Sequence, residues 1–122
     1  MQKKIDSLKQ LLKTVEENEK LATGRYCKGE NNCVIGHLLK NGGVSQEQLK
    51  EIDDGVFGHN YAIYSILVNA ELSFVSDALE SLGFDVHSDV DLLDSLQDAN
   101  DNGGRESAIK HLNETIKTLE EN

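Results

Sequence analysis

The residues best suited to chemistry gather in two stretches. The chain has only two arginines, and each directly follows a glycine. Arg25 lies in Thr23-Gly24-Arg25-Tyr26-Cys27-Lys28-Gly29, and Arg105 ends Asn100-Asp101-Asn102-Gly103-Gly104-Arg105. The ten lysines fall mostly in helix-like segments, where they serve as solvated surface charge. A planar guanidinium beside flexible backbone suits bidentate capture of a phosphate or carboxylate. If the fold joins the two stretches, Arg25, Tyr26, Lys28 and Arg105 make an anion site on an otherwise acidic protein. Asn100 and Asp101 precede a helix start, which is an anion site in its own right; their bland role is capping. Arg105 falls in the first turn of that helix, where the dipole disfavours a cation. That placement points to a ligand contact or to an ion pair with Asp101, and local pairing is the commoner fate.

Cys27-x5-Cys33-x3-His37 puts two thiols and an imidazole within eleven residues. Cys33 and His37 share a helix face one turn apart. Zinc favours such ligands, but the gap is longer than a zinc-finger knuckle. A fourth ligand would have to come from His59, His87 or a distant acid. A cysteine nucleophile at Cys33 would need His37 as its base, together with an orienting acid and an oxyanion donor that the sequence does not place. The plain reading is a small buried apolar cysteine on its helix and a half-buried histidine. No metal or cofactor is expected. Tyr26 with Tyr61 or Tyr64 could stack a base; the alternative is core tyrosines with bonded hydroxyls.

At 122 residues the chain reads as one domain. It has no apolar run long enough to cross a bilayer and opens with no signal-peptide block, so a cytoplasmic protein is expected. The net charge of −10 is uneven: residues 1–43 carry +3, residues 44–102 carry −12 with Lys50 as their one cation, and residues 103–122 carry −1. An acidic middle repels phosphate and excludes a duplex nucleic-acid binder. It is either a solvated face that aids solubility or a recognition surface for a basic partner.

Hydrophobic spacing predicts an all-α bundle of six or seven short helices. Ile5, Leu8, Leu12 and Val15, widened by Leu11, predict a helix over 2–20. Residues 22–32 read as a loop, and 33–40 as a buried helix stopped by Asn41-Gly42-Gly43. Ser45 with Gln48 forms a capping box for a helix through Ile52, ended by Asp53-Asp54-Gly55. Helices follow over 60–71 and 73–82, then one capped by Ser88 and one over 105–121, with 100–104 a loop. The helices over 2–20 and 105–121 are expected to pack together with 33–40 central, and their stripes fit a monomer core or a dimer seam equally. The absence of proline argues against kinked helices.

Two stretches taken together resemble something known. Cys33-Val34-Ile35-Gly36-His37-Leu38 looks like a Cys-x-x-Gly-x-Leu helix, and Leu96-Gln97-Asp98-Ala99-Asn100-Asp101 with Gly104-Arg105 looks like an Asn-Asp…Arg element. In this order and separation they are similar to a family of small bacterial and phage proteins of uncharacterised function. This chain has Ala99 where such proteins often show tryptophan, and His37 where a small residue is usual. The resemblance implies an all-α domain of phage or mobile-element type and assigns no chemistry.

The expectation is a non-catalytic, phage-type accessory protein that neutralises a host factor in the host cytoplasm. One version sequesters a small anionic, nucleotide-derived signal through Arg25, Tyr26, Lys28 and Arg105, with Cys33, His37, Asn100 and Asp101 around them. The second blocks a basic host protein through the acidic 44–102 surface. The third, a separate class, is an enzyme using Cys33 and His37.

Overall fold

Ile5, Leu8, Leu11 and Val15 line one face of α1 (Gln2–Glu17) and are all buried, as helical spacing predicts. Leu11 takes the deep position, and Leu12 is only partly covered. The structure, a computed structural model, describes residues 1–22, 26–28, 31–54 and 73–121. After α1 come a two-stranded ribbon, β1 (Cys27–Lys28) and β2 (Asn31–Asn32), then α2 (Val34–Asn41), α3 (Gln46–Asp54), α4 (Ser73–Ser81) and α5 (Val90–Glu120). The protein is mostly helical, with five helices among the described residues rather than six or seven. The ribbon pairs Cys27 with Asn32 and Lys28 with Asn31, within what reads from sequence as loop. The helix expected over 60–71 lies outside the described residues, as do Arg25, Phe57, His59, Tyr61 and Tyr64.

Local signals explain most boundaries. The Ser45 capping box forms as predicted: Gln48 N–H donates to Ser45 Oγ at 3.1 Å, and Ser45 N–H donates to Gln48 Oε1 at 2.9 Å. α1 ends at Glu17, short of residue 20, because Asn18 turns extended (φ −110°, ψ 118°) and its Nδ2 donates to Thr14 O at 2.6 Å. The N-cap of α5 is Asp89, not Ser88. Asp85 Oδ1 instead accepts from the N–H groups of His87 and Ser88 at 2.8 and 2.9 Å. Those bonds, Ser88's first, hold the Asp85 carboxyl below its ordinary range. Asp89 turns away from its own helix to accept from Lys4 Nζ at 2.7 Å and from Asp85 N–H at 2.8 Å.

The largest departure from sequence lies in α5. Instead of two helices joined by a loop over 100–104, helix runs up to Gly104 and resumes directly after it. Only Gly104, at φ 71° and ψ −160°, leaves helical geometry. A glycine pair thus makes the kink that the lack of proline argued against. The chain doubles back there. Asp89 lies beside Lys4 near the start of α1, Arg105 lies beside its last residues, and Glu120 returns to Lys9 at 3.0 Å. α1 is therefore flanked by both halves of α5. α1 and α5 pack most extensively on each other, and α2 lies against both. Val34, Ile35, Leu38 and Leu39 of α2 are fully enclosed, which makes α2 the central helix, as expected.

Gly104 occupies backbone space that is essentially glycine-only, and a methyl group there would meet no neighbouring atom. Gly104→Ala is therefore expected to destabilise by about 1–3 kcal/mol through backbone strain alone. Chemical denaturation checks the sign: in an unbroken helix the same change would stabilise by about 1 kcal/mol.

Candidate functional site

Most of the predicted site residues converge where the N-terminus of α2 meets the 97–105 region of α5. The first N–H groups of any helix lack intrahelical acceptors. In α2, Cys33 is the N-cap, and its Sγ accepts from Gly36 N–H at 3.3 Å. Val34 N–H donates to Asn100 Oδ1, a side chain from another helix, at 2.9 Å. Asn100 Nδ2 donates in turn to Ala22 O at 2.8 Å. One fully buried amide thus ties the chain leaving α1, the start of α2 and the body of α5.

Around this amide Ala22, Tyr26, Asn32 and Cys33 are fastened at several points. Gln97 Nε2 donates to the Tyr26 hydroxyl at 2.9 Å, and Tyr26 N–H donates to Asp53 Oδ1 at 2.9 Å. Cys33 N–H donates to Tyr26 O at 3.1 Å, and Ala22 N–H donates to Asn32 O at 3.1 Å. Asn32 Oδ1 accepts from Gln46 Nε2 at 2.7 Å. Gly36 explains the glycine of the Cys-x-x-Gly-x-Leu stretch: a Cβ there would fall on the Tyr26 carbonyl oxygen. Only glycine lets the backbone at Tyr26 lie so close to α2.

Arg105 does not pair with Asp101. Its Nε donates to Asn18 O at 2.8 Å and Val15 O at 3.3 Å, and a terminal nitrogen donates to Glu16 O at 2.9 Å. A cation disfavoured at the start of its own helical half thus sits on the negative end of α1, whose last carbonyls lack intrahelical donors. Tertiary structure overrides the local pairing because the fork of Arg105 matches three carbonyls at once. Asp101 is half-buried and accepts from Asn100 Nδ2 at 3.3 Å. Lys28 lies in β1.

The thiol and the imidazole are both enclosed. Burial pushes the Cys33 thiol up to about 12, so it stays protonated. Burial also raises the Tyr26 phenol well above its usual range. Burial first, then the charge of Lys40, holds His37 below its ordinary value. His37 Nε2 is buried with no hydrogen-bond partner among the described residues. Among the described residues no three His, Cys, Asp or Glu side chains are placed to share a metal ion, and no helix is long and apolar enough to cross a membrane. The arrangement suits architecture: Tyr26, Cys33, Asn100 and Arg105 all have their polar groups engaged within the chain.

Sequence reading singled out Asn100, Tyr26 and Cys33 but missed Gln97 and Asp53, the partners of Tyr26, and Asn32, which accepts from Ala22 and Gln46. Each is a polar residue that ends up nine-tenths or more buried. Gln97 and Asp53 carried a weak signal, since both sit one residue from an apolar core position, Leu96 and Ile52. No protein-family model, curated protein or solved structure matches this chain.

Asn100→Ala would leave both Val34 N–H and Ala22 O buried without partners, at about 1–3 kcal/mol each. A loss of about 2–5 kcal/mol is expected, a large share of the roughly 5–15 kcal/mol stability of a small domain; denaturant midpoints measure it. His37 supplies a pH test. Its folded pKa is depressed, so the unfolded chain takes up the proton first as pH falls. Its contribution is complete above the unfolded value of about 6.5 and is lost progressively below that. The melting temperature should fall between pH 7.5 and 5.5, and His37→Gln should flatten that part of the profile. An equally steep profile in the variant would assign the pH dependence elsewhere.

Proposed function

We propose that this protein is a non-catalytic binding protein that engages a basic protein partner through the acidic surface of residues 44–102. The observation that carries this reading is the set of exposed carboxylates on α3, α4 and the first half of α5. Glu47, Glu51, Asp77, Glu80, Asp91 and Asp98 are exposed and form no ion pair among the described residues. Such a surface steers a cationic partner and discriminates against acidic ones. The resemblance of the Cys33 and Asn100 stretches to small bacterial and phage proteins supports a phage-type accessory role, in which the partner is a host factor neutralised by binding.

Sequestration of a small anionic, nucleotide-derived signal is the second reading. It is favoured by one observation: Ala22 and Tyr26, which flank 23–25, are tied to Asn100 and Gln97, close in sequence to Arg105. Against it stand the enclosure of Tyr26 and the three carbonyls on Arg105. An enzyme built on Cys33 and His37 has the least support, since the thiol is buried, protonated and already capping α2.

Two measurements separate these readings. Asp77→Lys with Asp91→Lys and Asp98→Lys should abolish capture of a basic partner from bacterial lysate and leave the melting temperature nearly unchanged. Native mass spectrometry of the gently purified full chain should show no small ligand that departs on denaturation. Finding such a ligand, with the triple reversal retaining its partners, would overturn the protein-partner reading in favour of the second.

A further inference from the structure

We infer that the groove between α4 and the α2–α3 turn is a docking site for one arginine side chain of the basic partner, a proposal that rests on the acidic-surface reading. Phe74, Asp77, Ala78 and Ser81 recur at helical spacing and make one wall; residues 42–44 and Gln48 make the other. The groove is open on one side and has a volume of about 210 Å³. Small-molecule and cofactor sites run from roughly 300 to 1,000 Å³, so this one suits a single side chain.

The chemistry of the walls selects which side chain. Val44 and Ala78 are buried, and Phe74 is half-buried against the core, so the floor is apolar. Two of the polar groups on the rim are occupied. Gln48 Oε1 accepts from Ser45 N–H at 2.9 Å, and Ser81 Oγ donates to Ala78 O at 2.6 Å. The Asp77 carboxylate is exposed and has no ion-pair partner among the described residues. Asp77 is the acid among the residues that line the groove. A flexible apolar stem ending in a cation fits this floor and rim. Arginine fits better than lysine. Its planar head stacks on an aromatic ring while it forks to a carboxylate, whereas an ammonium is a compact, strongly hydrated point charge.

The test uses the full-length chain labelled with ¹⁵N and titrated with N-acetyl-arginine amide, with the citrulline amide as an isosteric neutral control. Saturable shifts should appear at the amides of Gly42, Gly43, Asp77 and Ala78 with the arginine probe and be absent with citrulline. Asp77→Asn should weaken the arginine response roughly tenfold with an unchanged melting temperature. Equal shifts from both probes would show an apolar cleft indifferent to charge and overturn the proposal. So would a dimer that dissociates in Asp77→Asn, because the occupant would then be a second copy of this chain. Deca-arginine at low salt separates the two levels of the argument. If it binds while the single-arginine probe does not localise, the groove fails and the acidic surface stands; if it does not bind at all, both fail.

Discussion

The fold depends on one buried amide. Asn100 is fully enclosed, accepts from the first N–H of α2 and donates to the carbonyl of Ala22. Neither backbone group belongs to regular hydrogen-bonded structure, so each would be an orphan in a dry interior without this side chain. Both halves of the amide are needed at once, which an aspartate or an apolar residue cannot provide. Because the three segments it joins are remote in sequence, this contact also sets where α5 lies relative to α1 and α2. The other buried polar contacts, Gln97 with Tyr26 and Tyr26 with Asp53, fasten Tyr26 onto that frame.

Helix termini follow the same logic at both ends of this junction. The positive start of α2 is closed by Cys33 Sγ and Asn100 Oδ1, and the negative end of α1 by the guanidinium of Arg105. Each is a tertiary cap, drawn at least in part from outside the helix it serves. The kink at Gly104 makes the second cap geometrically feasible: the chain must reverse just before residue 105 for its side chain to reach residues 15–18. The Cys-x-x-Gly-x-Leu and Asn-Asp…Arg elements are therefore two sides of one architectural joint. Their residue types look like a ligand site in sequence because the same donors and acceptors that hold a phosphate also hold backbone carbonyls and amides.

The functional question therefore falls on groups outside this joint. Groups engaged in holding the fold are poor candidates for exchange with a partner, since releasing them exposes unsatisfied polar atoms. The exposed carboxylates of Glu47, Glu51, Asp77, Glu80 and Asp91 form no ion pair among the described residues. Their charge destabilises the compact state slightly by self-repulsion. A chain that carries −12 over residues 44–102 bears that cost across the segment that holds the α4 groove.

The sequence by itself determined the helical class, the apolar stripes of α1 and α5, the capping box at Ser45 and the stop after α2. These are local matters, settled by periodicity and by side chains within four residues of the backbone they cap. It also marked Asn100, Cys33, Gly36 and Arg105 as unusual, without distinguishing ligand from backbone as their partner. Only the tertiary structure decided that. Arg105 left Asp101 for the end of α1, Asp89 turned from capping its own helix to Lys4, and a glycine pair became a reversal rather than a loop. The physical reason is shared: each outcome joins groups tens of residues apart, and burial of an unpaired polar group costs more than the local alternative gains.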